Sequence, residues 1–444
     1  PVHLSLSGSA DIVDIRRIQI YKKNKKTLQI YDDLGHGKGW SLNVSIERFV
    51  PIIRLGWRKQ KGNYSVRLHE IDLNPDVKEN PRLFDKAYAV AEFLSTGSAE
   101  LLEEIQKPNV VEADFLDKSS KFSFLFWRHK KLKSDTLFSI ESRDGLKGKY
   151  VALTDEKQSG LNWEAFTKDI INYGFQRLSA NVNWGSPTWQ NPAQTIGGMG
   201  TTTSVRFETS LDEDNHYNER FMRLSDRWEG WSKKVKKLKR HMREANEKFG
   251  FQLFDERTLD NTDKLKLFDV TVNLNLYEAG FKKLETIHPN SLIYFEYLYE
   301  EARGIRERGC REEQIRTRKL SDGRDIESCG TLNTVIYQNN KCQRKIEDKK
   351  DQKDITKCLM RLYRDLYEDL DYKELKMLLG QDNLFVHGEV NGFRDNDEVL
   401  NDTIQTNTEG RIGSRFWNGP FEKIKQMLGI QEGELNGYWL RERL

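Results

Sequence analysis

Hydrophobic residues fall on every second position through much of the first half of the chain. The stretch RIQIYKKNKKTLQIY holds two alternating runs around the polar tip KNKK and predicts a β-hairpin. Trp40, Leu42, Val44 and Ile46 alternate with polar neighbours, as do Tyr64, Val66 and Leu68, the pattern of strands with one apolar face. KFSFLFW and DTLFSIES predict another hairpin with the basic RHKKLKS between its arms, and SVRFETSL reads as a further strand. The period changes in PRLFDKAYAVAEFLSTGSAELLEEI, which predicts an amphipathic helix with Pro81 near its start.

Further on, Phe221, Leu224, Trp228, Trp231, Val235, Leu238, Met242, Ala245 and Phe249 are spaced alternately three and four apart. A sustained repeat of that period predicts one long helix packed lengthwise on another, weakened at Gly230 by about 1 kcal/mol relative to Ala. FDVTVNLNLYEAGF returns to strict alternation, with Phe268, Val270, Val272, Leu274 and Leu276 on one side. Pro289 opens a helix over NSLIYFEYLYEEARGIRERG, and DQKDITKCLMRLYRDLYEDLDYKELKMLLG reads as another, with Ile355, Leu359, Leu362 and Leu366 inward. LFVHGEVNGF and GRIGSRFW look like strands and FEKIKQML like a short helix. Strands and helices do not alternate regularly. The predicted class is therefore α+β: an antiparallel β-rich N-terminal part, a long heptad-patterned helix and a disulfide-braced helical C-terminal part. The expected divisions are 1–217, 218–284 and 285–444.

Composition narrows the setting. Of 444 residues, 32% are charged, yet ten Trp, sixteen Tyr and 22 Phe exclude a chain that is disordered throughout. Net charge is only +3, so basic stretches are local features. No apolar run approaches the roughly 18 residues of a membrane-spanning helix. The start at Pro1 fits a processed secreted precursor or a trimmed chain equally. The four cysteines, Cys310, Cys329, Cys342 and Cys358, lie in one segment without close pairs of the zinc-binding kind. They read as two disulfides, in neighbour or nested pairing, and hence as an oxidising, extracytoplasmic compartment such as a periplasm, an outer membrane surface or the exterior.

Candidate chemistry is sparse. Lys233, Lys234, Lys236, Lys237, Lys239, Arg240 and Arg243 form a basic run without an acid among them, expected either as a solvated helix face or as a docking surface for an anionic partner. Trp184 and Trp189 stand in a Gly- and Pro-containing loop and are candidates for stacking on a glycan or resting at a lipid interface. LGHGKGWS around Lys38 and the stretch IGGMGTTTS lack the spacing of a phosphate loop. The acid clusters lack the glycine of a calcium loop, and no metal site or cofactor is expected. The eight histidines are scattered, and no nucleophile motif is present; no catalytic residue is assigned. The reading preferred from sequence is a non-enzymatic binding or structural assembly protein at a cell envelope or membrane surface. Its expected partners are a protein, a second copy or an anionic envelope surface, and nucleic acid is not expected. A secreted hydrolase of a glycan or envelope polymer is the alternative. A membrane-inserting protein whose amphipathic segments form hairpins is a third expectation.

Overall fold

The computed structural model describes residues 3–22, 26–47, 51–73, 83–124, 127–161, 200–231, 236–259, 265–305, 309–310, 315–319, 323–380, 383–394 and 399–400. Its frame is an antiparallel sheet of, among the described residues, eleven strands: β1 (His3–Lys22), β2 (Thr27–Glu47), β3 (Pro51–Asp72), β4 (Asn109–Phe124), β5 (Trp127–Glu141), β6 (Lys147–Leu161), β7 (Gly200–Leu211), β8 (Tyr217–Trp231), β9 (Leu265–Leu276), β12 (Leu384–Arg394) and β13 (Val399–Leu400). β1 to β8 each pair with the next strand in sequence, and β12 returns to pair with β9. β10 (Arg316–Lys319) and β11 (Asp325–Ser328) form a separate hairpin. One sheet thus runs through all three of the segments 1–217, 218–284 and 285–444.

The first three strands are 20, 21 and 22 residues long, against a usual length of about 5–6. At roughly 3.3 Å per residue they extend for about 70 Å. The predicted β1–β2 hairpin is present and pairs in register from Lys22–Leu28 to His3–Glu47. The second predicted hairpin turns elsewhere. RHKKLKS is not its tip but lies inside β5, and β4 meets β5 at Phe124–Trp127. Backbone pairing on both flanks overrides the local charge, and Lys133 gains an acid partner on β6, Asp155, at 3.6 Å.

The expected helix over 81–105 is two helices, α1 (Leu83–Thr96) and α2 (Glu100–Ile105). Gly97, at φ +75°, ends the first in the left-handed region where glycine is favoured. The pair covers the far end of β1–β3, packing Ala89, Phe93 and Leu102 on Ile30 and Ile71.

The largest correction concerns the heptad. Phe221, Leu224, Trp228 and Trp231 belong to strand β8, and only Leu238, Met242, Ala245 and Phe249 lie on a helix, α3 (Lys236–Phe249); Val235 falls outside the described residues. Spacings of three and four put Phe221 and Leu224 on opposite faces of a strand. Phe221 joins Tyr277 and Phe385 on one face, while Leu224 enters the main core on the other. Ladders to β7 and β9 on both sides of residues 221–231 decide for strand.

The remaining helices are α4 (Glu278–Glu285), α5 (Pro289–Ala302), α6 (Asn333–Glu347), α7 (Gln352–Asp369) and α8 (Tyr372–Leu379). α3, α4 and α7 pack on the same face of the sheet as α1 and α2. There Leu153, Phe207, Leu224 and Leu274 meet Leu238, Met242, Leu362 and Leu366. Polar bonds set the seat of α7: the Tyr363 hydroxyl donates to the Leu274 carbonyl at 3.2 Å, the Tyr367 hydroxyl to Asp226 at 2.9 Å, and Arg364 pairs with Asp155 at 3.1 Å.

The cysteines pair as neighbours, Cys310 with Cys329 and Cys342 with Cys358, at Cα separations of 5.6 and 5.5 Å. The second bridge ties α6 to α7. Two buried carboxylates hold the approach to α6. Glu300 accepts from the Cys329 and Thr331 amides at 2.7 and 3.2 Å, and Glu296 accepts from the Leu332 amide at 2.6 Å. They satisfy amide donors at a helix start that has no side-chain cap and add negative charge where the helix dipole favours it. Glu300→Ala leaves the Cys329 and Thr331 amides without their acceptor in a part-buried setting, so it is expected to lower the unfolding free energy by about 1–3 kcal/mol, read as a shifted urea midpoint with both bridges intact.

Candidate functional site

Residues directly opposite in an antiparallel ladder share a face. The register therefore assigns each described side chain to the helix-bearing face or the other. Near one end of the sheet the usual arrangement is reversed. On the helix-bearing face of β1–β4 stand Leu4 and Leu6, then Trp40, Leu42 and Val44, then Ile53, Leu55 and Trp57, then Phe122. No described helix covers them. Leu4 is 73% exposed, Leu6 71%, and Trp40 and Trp57 nearly half.

The same strand ends carry polar or small residues on the opposite face: Ser7 and Ser9, Ser41 and Asn43, Gly56 and Arg58, Ser119 and Ser123. Ser9 and Ser41 share a hydrogen bond at 2.8 Å. That polar face is the less exposed of the two in β3–β5, where Gln60, Asp117, Ser123, Lys130 and Ser134 are buried. A sheet in water normally turns its apolar side inward.

Other parts of the same row show what such a surface meets when it is covered. Leu6, Val44, Leu55, Phe122, His129, Ser159, Thr201, Trp228 and Val270 are successive cross-strand partners. On β8 and β9, α3 lies over this row, packing Leu238 and Met242 with Val270 and stacking His241 on Trp228 with ring centres 6.3 Å apart. On β1–β4 the row is open.

Immediately below the apolar rows lies a group of lysines. Lys59 is opposite Trp40 and next to Lys118, and Lys38 is opposite Lys61. All four are exposed and none forms an ion pair with a described residue. Like charges directly opposite in a ladder destabilise it. The neighbouring Lys133 and Lys157 are matched by Asp155 and Glu368.

Past the lysines a groove of about 600 Å³ crosses β2–β6, lined by His36, Asp114, Leu137 and, from α7, Lys353. Its Asp135 carboxylate is taken up by Lys357 at 2.9 Å and Lys353 at 3.2 Å. The glycines of LGHGKG serve packing on the opposite face. A Cβ at Gly39 would meet Gln60 Cγ at 2.8 Å, and one at Gly62, opposite Gly37, would meet Phe115 Cζ at 2.9 Å.

Of the basic run, Lys236, Lys237, Lys239, Arg240 and Arg243 lie on α3. Arg240 pairs with Glu244 at 3.3 Å and Arg243 with Glu256 at 2.8 Å, while Lys236 is exposed. Lys233, Lys234, Trp184 and Trp189 lie outside the described residues. The alternating sequence indicated the strands but not the exposed apolar rim or the lysines beneath it, because cross-strand pairing brings both together from separate strands. Among the described residues no group of three His, Cys, Asp or Glu side chains is placed to hold a metal, and no helix is long and apolar enough to cross a membrane. No protein-family description, curated protein or solved structure matches the chain.

Burial on the polar face perturbs one acid. It pushes the Asp117 carboxyl up to about 6, against the nearby Ser134 hydroxyl and the charge of Arg58 and with the help of Asp135. An acid whose folded pKa is raised favours folding while protonated and loses that contribution as pH rises from about 4 to about 6. The loss is on the order of 2–3 kcal/mol. Urea midpoints measured across that window should fall with rising pH, and Asp117→Asn should flatten the fall.

Proposed function

We propose that this protein is a non-enzymatic, extracytoplasmic membrane-binding protein that immerses the apolar rim of β1–β4 in a lipid phase. The observation that carries this reading is the reversal of faces at the strand ends: one side of β1–β4 is apolar and partly exposed, the other is polar or small, and in β3–β5 that polar side is the less exposed. Lipid-facing β-structure has that arrangement, apolar outward and polar inward. The apolar arm of β2, residues 40–47, is about 26 Å long at roughly 3.3 Å per residue, close to the 9–11 residues or so of a membrane-crossing strand. Trp40 and Trp57 stand at the inner border of the rim, where indole rings favour a membrane–water interface.

The magnitudes suffice. Full burial of a large apolar side chain is worth roughly 1.5–3 kcal/mol; at half that value, Leu4, Leu6, Leu42, Leu55, Trp57 and Phe122 together supply about 5–9 kcal/mol. The cysteine pairs at disulfide distance are consistent with an oxidising compartment.

Flotation with phosphatidylcholine vesicles, with and without phosphatidylglycerol, tests the reading. The wild-type protein is expected to float, with its Trp emission shifted to the blue. The Leu6→Ser, Leu42→Ser, Leu55→Ser, Phe122→Ser variant is expected to lose more than about tenfold in partitioning at a little-changed melting midpoint, because Leu6, Leu42 and Phe122 are exposed and Leu55 is only half-buried. A wild-type protein that floats with neither vesicle, or a folded variant that floats like the wild type, rules the reading out.

A further inference from the structure

We infer that this surface selects membranes with anionic head groups, through Lys38, Lys59, Lys61 and Lys118. The inference rests on the membrane reading above and adds the chemistry of the lipid. The four lysines follow the Trp border of the rim along the strands: Trp40 is opposite Lys59, and Lys38 is the next residue inward on the same face of β2. Side chains that anchor a rim at the depth of the indoles place the next row at the head groups.

Among these four lysines two cross-strand contacts join lysine to lysine, Lys59–Lys118 and Lys38–Lys61, and Lys118 also stands opposite Lys133. The sheet bears that repulsion without an ion pair from a described residue, although acids do match the neighbouring Lys133 and Lys157. A layer of lipid phosphates across the row would relieve both contacts at once, and the cluster as a whole complements a negative surface. Exposed lysines beside an exposed apolar face therefore fit an anionic bilayer better than a second copy of this chain, whose matching surface would bring lysine rows together.

The test uses the full chain and vesicles of phosphatidylcholine alone or with phosphatidylglycerol. A lysine close to an anionic membrane surface contributes about 1 kcal/mol, a factor of about five in partitioning. Replacing all four by Gln is expected to cut partitioning into the anionic vesicles by more than about a hundredfold while leaving the weaker binding to phosphatidylcholine unchanged. High salt should reproduce the loss in the wild-type protein. A control with Lys283, Lys341, Lys349 and Lys350 neutralised on the helical side is expected to change it less than about fivefold. Unchanged anionic preference in the first variant, or an equal loss in the control, overturns the inference while binding through the rim stands. Wild-type protein that binds neither vesicle overturns both. A stable wild-type dimer in solution that buries the rim and excludes vesicles also overturns both.

Discussion

Continuous backbone hydrogen bonding in register, from β1 across to β12, is the constraint on which the rest of the structure depends. Each strand is locked to its neighbour over most of its length, so the face chosen by one side chain is imposed on its whole cross-strand row. Leu6 on β1 and Val270 on β9 share a row because eight successive ladders keep step. A one-residue slip anywhere between them would turn the apolar rim onto the Ser- and Asn-bearing side. Strands of this length make such a slip costly, because every hydrogen bond and every pair in the ladder would move together.

The helix-bearing face has two fates along that continuous sheet. Over β6–β9 it is a conventional core, where α3, α4 and α7 supply apolar cover and the hydroxyls and guanidinium of α7 satisfy polar groups of the strands. Asp226 illustrates the cost of closing that region: burial raises its carboxyl above the ordinary range, opposed by nearby Lys248 and by hydrogen bonds from Tyr367 and Thr203. Over β1–β4 only the far end is covered, by α1 and α2, with Arg16 bonded to Asp32 at 3.1 Å and to the Gly97 carbonyl. The near end has the composition of a core without a described helix above it. The apolar rim, the Trp border and the lysine row succeed one another along single strands, so their order is a property of the ladder and cannot drift.

Much of the frame was legible in the sequence. Period-two alternation located β1, β2, β7 and β9, Pro289 marked the start of α5, and the clustered cysteines read as two pairs. The failures have physical causes. The three-and-four spacing from Phe221 to Phe249 satisfies a helix and, across Gly230, a strand followed by a helix; pairing partners on both sides of β8 decided between them. α6 escaped notice because two of its buried positions are Gln338 and Asn339, which bond to the Cys358 and Ile287 carbonyls and hide the apolar period. RHKKLKS looked like a turn because three of its residues are lysines, yet an acid on the neighbouring strand makes a place for one of them.

What the sequence determined by itself is the local alphabet: which residues alternate, which recur with helical period, and which cysteines lie near enough to pair. Side-chain volume, backbone preference and short-range spacing carry that information directly. Which apolar face is covered and which is left open was decided only by the tertiary structure. Leu6 and Leu224 stand on strands of equal alternation, and one is exposed while the other is sealed, because α7 and α3 reach β8 and not β1. Lys38, Lys59, Lys61 and Lys118 become one charged row for the same reason, since cross-strand pairing joins residues that no window of sequence contains.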